Sequence, residues 1–190
     1  MHTTSGPLVD MLELRGRLRM CSSGLRQILL VCALISAIFG FAPRLGVAQD
    51  KDPSFINLSL GYFDIVHNDD QAIAGGIEWM SSSRLWIFQP LAGVMITSEG
   101  SLYGYAGFGT DFFFGPRWVA TPSIAVGAYS EGNGLDLGHV VEIRSALTLA
   151  YRFDNRSRIG LRFYHLSNAG LGRDNPGVEV LDLTYSIPLR

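Results

Sequence analysis

The stretch Val140-Val141-Glu142-Ile143-Arg144-Ser145-Ala146-Leu147-Thr148-Leu149-Ala150-Tyr151-Arg152 alternates along most of its length. Val141, Ile143, Leu147, Leu149 and Tyr151 fall on one side of an extended chain, and Glu142, Arg144, Thr148 and Arg152 fall on the other. Successive side chains of a strand point to opposite faces, so this period of two reads as a β-strand with one apolar wall.

Working outward, the same pattern recurs in segments separated by Gly, Pro, Asn, Asp and Ser. They span residues 54–63, 71–80, 85–97, 101–113, 117–129, 140–152, 157–168 and 178–189. Helical periodicity is absent. A soluble sandwich also alternates, but its strands usually run about 5–6 residues, whereas a tilted strand that crosses a bilayer needs about 9–11. Aromatic residues cluster near the segment ends (Tyr62, Phe63, Trp79, Trp86, Phe112, Phe113, Trp118, Tyr129, Tyr151), as in the girdles of outer-membrane barrels. The expected fold is therefore an all-β, eight-stranded antiparallel transmembrane β-barrel, closed because lipid tolerates no free sheet edge. Eight strands enclose a lumen just wide enough for side chains, which excludes a wide diffusion pore. Gly76, Gly104, Ala106, Ala146 and Ala150 are expected to fill that lumen, with Glu78, Glu142, Arg144 and Arg152 as candidates for buried ion pairs.

Composition agrees. Of 190 residues, 47% are hydrophobic and 17% charged, with 15 Lys+Arg against 17 Asp+Glu. A disordered chain would be poor in apolar residues, and a nucleic-acid binder would carry a basic surplus, so both classes are excluded. The mean hydropathy of +0.21, in a chain without helical patterning, calls for either a very large core or a lipid-facing wall.

Residues 1–48 read differently. Arg15, Arg17, Arg19 and Arg26 precede the apolar run Ile28–Ala42, and Gly46-Val47-Ala48 supplies small residues before a cleavage point. This is the pattern of a cleaved secretory signal peptide, with Met20 as an alternative start to Met1 and residues 49–190 as the mature barrel. The apolar run is too short to span a bilayer as a helix. Both cysteines, Cys21 and Cys32, lie within residues 1–48, so the mature chain is expected to have no disulfide, thiol nucleophile or cysteine metal site. No cofactor or metal is called for. The glycine runs at Gly104–Gly109 and Gly132–Gly134 open no helix after a strand and are discounted as nucleotide loops. Asp69-Asp70, and Asp136 with His139, read as solvated loop residues.

With both termini in the periplasm, the connections 64–70, 98–100, 130–139 and 169–177 lie outside and 81–84, 114–116 and 153–156 inside. The last external hairpin carries the chemistry. Its seventh segment sets an outer face by Ile159, Leu161 and Phe163, and continuing by two adds His165 and Ser167. Its eighth sets the outer face by Leu181, Leu183, Tyr185, Ile187 and Leu189, and stepping back by two reaches Glu179. A loop centred on Gly172 makes Glu179 the direct cross-strand partner of His165, at a Cβ separation of about 5 Å. Ser167 lies about 7 Å along the same face. Polar groups on a lipid-facing stripe cost free energy unless paired, so three together at the outer leaflet need an explanation. Serine attacks when a histidine removes its proton, and a carboxylate holds that histidine's tautomer, which is the arrangement acyl transfer requires.

The run Phe163-Tyr164-His165-Leu166-Ser167-Asn168-Ala169-Gly170, followed by Asn175-Pro176-Gly177-Val178-Glu179, resembles the outer-membrane lipid A 3-O-deacylase family, with its H-x-S-N and N-x-G-x-E elements. The resemblance is dense over 163–179 and implies a lipid A esterase on an eight-stranded barrel. It implies His165 as base, Ser167 as nucleophile and Glu179 as orienter, with lipid A of the outer-leaflet lipopolysaccharide as partner. By the same resemblance, Asn175 and the Gly170 N–H are nominated for the oxyanion hole, with Asn168 as a further candidate. Arg173 is placed beside the site, where it could meet a substrate phosphate. The chain departs from many outer-membrane proteins in ending Ile187-Pro188-Leu189-Arg190 without a terminal aromatic. Two alternatives stay open. One is a non-enzymatic small structural barrel in which His165 and Glu179 form only an interfacial polar pair. The other is an acyltransferase, which differs only in the acceptor. A homodimer through the lipid-facing wall is compatible with the sequence but not required by it.

Overall fold

A computed structural model describes residues 52–67 and 70–189; the segment expected to be a signal peptide lies outside the described residues. The strands are β1 (Phe55–Phe63), β2 (Ala72–Met80), β3 (Gln89–Thr97), β4 (Leu102–Gly109), β5 (Phe112–Phe114), β6 (Trp118–Ser130), β7 (Val141–Arg152), β8 (Arg158–Ser167) and β9 (Val178–Pro188). All pairings are antiparallel. The order β4-β3-β2-β1-β9-β8-β7-β6 closes on itself through a β4–β6 ladder. β5 carries on the line of β4 against β6 in the same register, so the two are one strand and the barrel has eight. The interruption falls where Thr110 lies opposite Pro122, which has no N–H to give the ladder.

One boundary and one facing differ markedly from the sequence reading. The third strand starts at Gln89, because Leu85–Phe88 close a tight turn (Leu85 N–H to Phe88 O, 2.8 Å) with Trp86 at φ +62°. The fourth strand also has the opposite facing from that expected. Tyr103 and Tyr105 point inward, while Ala106 is exposed on the outer wall and Gly104 shares its face. The tyrosines are held inside by polar partners: Tyr103 Oη donates to Glu142 O and Tyr105 Oη to Glu78 Oε2, each at 3.0 Å. Gly127 and Gly93 on the flanking strands leave the room those rings take, since a Cβ there would stand 2.7 Å from Tyr103 Cε2 and Tyr105 Oη respectively. Gly76, Ala146 and Ala150 are on the inner face as expected. Among the girdle aromatics, Phe63 and Tyr129 are buried inside, and the Phe113 ring lies 5.8 Å from the guanidinium carbons of Arg152 and Arg158.

The lumen is filled by an ion network. Glu78 pairs with Arg144 (2.6 Å) and Arg162 (3.3 Å), and Arg162 with Asp182 (3.2 Å). Asp52 pairs with Arg152 (3.1 Å) and Arg158 (2.8 Å), and Arg158 also with Asp111 (2.8 Å). Glu142, expected to join such pairs, has no hydrogen-bond partner on either carboxylate oxygen among the described residues. A cavity of about 30 Å³ remains beside Glu78 and Arg162, room for roughly one water.

The outer wall is the reverse. Leu60, Ile73, Ile77, Val94, Ile96, Ile124, Val126, Leu147, Leu149, Leu161 and Leu183 are each more than half exposed. Soluble monomers rarely expose a contiguous apolar patch beyond a few hundred Å², so a belt around the whole barrel is a surface made for lipid.

Candidate active site

The last hairpin is fixed from within. Tyr164, Leu166, Asn168, Val178 and Val180 on its inner face are buried in the core, which locks the register of β8 against β9. The opposite parity then points His165, Ser167 and Glu179 outward. His165 and Glu179 are direct partners across the ladder, and His165 Nδ1 lies 3.0 Å from Glu179 Oε1. The imidazole is part exposed and the carboxylate mostly covered (43% and 18% of the side chains). The cross-strand register expected for this pair is the one observed.

The pairing of the two strands ends at Leu166–Val178, with Ser167 the last residue of β8 and Gly177 just before β9. Gly177 is at φ +67°, and a Cβ on it would stand 2.7 Å from His165 Cε1 and 3.3 Å from Nε2. The Cε1–Nε2 edge of the ring thus lies against Gly177. On the other side of β8, Ser145 of β7 is the cross-strand partner of His165 and is exposed on the same wall. Ser145 was missed in the sequence, although it interrupts the apolar stripe Val141, Ile143, Leu147, Leu149 just as His165 interrupts its own.

The loop residues divide. Asn175 is exposed, and its Oδ1 accepts from Asn168 N–H (3.0 Å), leaving Nδ2 as its remaining hydrogen-bonding end. Asn168 does not join the outer patch: it is fully buried, its Nδ2 donates to Leu137 O and Asp174 O (both 2.8 Å), and its Oδ1 accepts from Gly170 N–H (2.9 Å). Its place is a staple between the β6–β7 and β8–β9 loops. The Gly170 N–H is thereby bonded to Asn168, with Gly170 at φ +81°. Arg173 is exposed at the loop tip. Asp136 accepts from Gly138 N–H and His139 Nδ1 from Val141 N–H, so these two shape their own loop. Below the site, the outer wall carries Phe163, Leu181, Leu147 and Ile124, all at least 40% exposed.

Comparison with known proteins follows the same lines. The family model described as lipid A 3-O-deacylase (PagL) matches residues 41–188. The lipid A deacylase PagL of Pseudomonas aeruginosa is 28% identical over 156 residues, 79% of either chain. That of Bordetella bronchiseptica is 31% identical over 74 residues, which span 38% of this chain and 42% of that protein. Among solved structures, the outer membrane enzyme PagL superposes with a TM-score of 0.57 at 22% identity, covering 71% of this chain and 99% of that one. A de novo designed transmembrane β-barrel superposes with a TM-score of 0.50 at 10% identity, covering 74% of this chain and 98% of that one, a likeness of fold alone. With its family model matched across the whole barrel, this chain belongs to the lipid A 3-O-deacylase family and is an outer-membrane β-barrel.

Proposed function

We propose that this barrel is a serine esterase that removes the 3-O-linked 3-hydroxy fatty acid from lipid A at the outer leaflet. The observation that carries the reading is the His165–Glu179 pair, 3.0 Å apart on a lipid-facing wall, with Ser167 one turn of the pleat farther along the same face. The family description supports the 3-O position and the substrate.

In the proposed mechanism, Ser167 Oγ attacks the ester carbonyl carbon as His165 Nε2 takes its proton, and the carbonyl π electrons move to oxygen. Glu179 holds Nδ1–H and stabilises the imidazolium. Donors aimed at the oxyanion are often the largest single catalytic contribution. Asn175 Nδ2 is the side-chain candidate; Gly170 N–H must release Asn168 Oδ1 to serve as the second. Collapse breaks the bond to the sugar oxygen, which takes the proton from His165. Water then attacks the acyl-serine, with His165 again as base, and frees the fatty acid. The exposed Phe163, Leu181 and Leu147 give the acyl chain an apolar track, and Arg173 a counter-charge for a lipid A phosphate.

The test is mass analysis of purified lipid A after incubation with the refolded barrel and with Ser167→Ala. Release of one 3-hydroxy fatty acid by the wild type only supports the reading and the nucleophile together. Release by both places the nucleophile elsewhere, with Ser145 the next hydroxyl to change. Release by neither, across a panel of lipid A acyl patterns, favours a non-enzymatic barrel.

A further inference from the structure

Glu179 uses one carboxylate oxygen on His165. Its other oxygen, Oε2, is buried and accepts no hydrogen bond among the described residues. The group that approaches it comes from a different part of the chain: His67 Nδ1, in the loop after β1, lies 3.6 Å away, longer than a hydrogen bond and within ion-pair range. The same Nδ1 is 4.0 Å from Asp64 Oδ1, so the His67 imidazole stands between two carboxylates. The loop is itself laced to β9 at this residue, because Ile65 N–H donates to Glu179 O at 3.1 Å. Asp64 is buried at the loop base and accepts from Asp70 N–H at 3.0 Å, which ties the two ends of the loop together.

A carboxylate anchored through one oxygen can still turn about its last torsion, because that sp³–sp² torsion is broad. Turning would carry Oε1 off His165 Nδ1 and release the ring that has to face Ser167. A second partner on Oε2 removes that freedom. Resting on the esterase reading above, we infer that His67 is a positioning residue for the reaction: it holds the second oxygen of Glu179 so that the first stays on His165. The first external loop is then part of the catalytic apparatus, though it contributes nothing that touches the substrate's reacting atoms.

The chemistry gives the proposal a signature. A positioning group acts on the reactive geometry, so its loss lowers kcat and leaves KM nearly unchanged, and an ångström of misplacement can cost up to about 10²-fold. His67→Ala is expected to lower kcat by about tenfold with KM within about twofold. His67→Asn, whose amide nitrogen can stand near the place of Nδ1, restores most of that loss. In a Glu179→Gln background, His67→Ala changes kcat little further, because both act through one carboxylate. A loss of equal size in both backgrounds, a loss confined to KM, or no loss at all would each overturn the proposal. A second readout does not depend on turnover: the Nδ1–H proton resonance of His165 in detergent micelles shifts upfield in His67→Ala and returns in His67→Asn. If the resonance is unchanged in His67→Ala, the proposal fails even where the esterase is active. If the resonance responds as expected but no lipid A is hydrolysed by the wild type, the positioning holds and the esterase reading is what falls.

Discussion

His165 and Glu179 are direct partners on the β8–β9 ladder, with Nδ1 3.0 Å from Oε1, one position along from the fully buried pair Leu166 and Val178. The candidate diad is thus placed by strand register and core packing rather than by the hairpin loop. Glu179→Gln keeps the shape but not the charge, so it is expected to leave the barrel folded while lowering kcat by about 10²–10⁴-fold. Combined with Ser167→Ala it adds almost nothing, since residues that work as a unit are not additive. Steady-state fatty-acid release, beside unfolding of each variant in detergent, checks both statements.

Gly177 offers a cleaner perturbation, because it carries no chemistry of its own. A methyl there would press 2.7 Å from His165 Cε1, in a backbone at φ +67°. Gly177→Ala is therefore expected to displace the imidazole and reduce kcat by about 10²-fold. Gly115→Ala is the control for strain: its φ is also +67°, yet no atom lies within 4 Å of the added Cβ. Each substitution carries about 1–2 kcal/mol of left-handed backbone cost, so similar melting with unlike activity identifies the His165 contact as the cause.

Eight strands and the outward facing of His165, Ser167 and Glu179 were legible because a period of two, held by a buried inner face, leaves a strand little freedom. The fourth segment was not. Leu102, Gly104, Ala106 and Phe108 make one face, and Tyr103, Tyr105, Gly107 and Gly109 the other, so both mix large and small residues. The choice is made by partners far along the chain, Glu78, Glu142 and Arg144, which take the tyrosine hydroxyls and one ring face. Arg158, Arg162, Asp111 and Asp182 went unread for the same reason: alternation places a charge inside but does not say what it meets. Asn168 was the misjudged site residue. Its motif neighbours Ser167 and Gly170 suggested a donor to substrate, but the inward parity of an even position after Leu166 sends it to Leu137 O.

The lumen network makes a prediction about stability with no appeal to catalysis. Glu78 is the hub between Arg144 and Arg162, and it also accepts from Asn57 (3.1 Å) and Tyr105. Removing one partner of a buried charge cluster leaves the others uncompensated, at a cost of about 3–5 kcal/mol. Glu78→Ala is expected to lower the urea midpoint of the refolded barrel accordingly. Glu142→Gln, at a carboxylate without hydrogen bonds among the described residues, is expected to leave the midpoint unchanged or raise it.

The last prediction concerns how the site's loop is held. The Asn168 carboxamide makes three hydrogen bonds, to Leu137 O, Asp174 O and Gly170 N–H, and so joins the β8–β9 loop to the β6–β7 loop. Close packing reinforces the join, for a Cβ on Gly138 would stand 2.4 Å from Asp174 O. Asn168→Ala deletes all three bonds and strands the carbonyl of the buried Leu137, while the ladder below it stays intact. Local opening is governed by such contacts more than by global stability. The expected result is faster proteolytic cleavage within residues 169–177, with little change in the unfolding midpoint of the barrel. Asn168→Asp separates the two halves of the staple: it keeps the acceptor for Gly170 N–H and loses the donor to Leu137 and Asp174. If Asn168→Asp is cleaved as slowly as wild type, the interloop bonds are dispensable and the Gly170 bond alone orders the loop. If it is cleaved as fast as Asn168→Ala, the tie between the two loops is what orders residues 169–177.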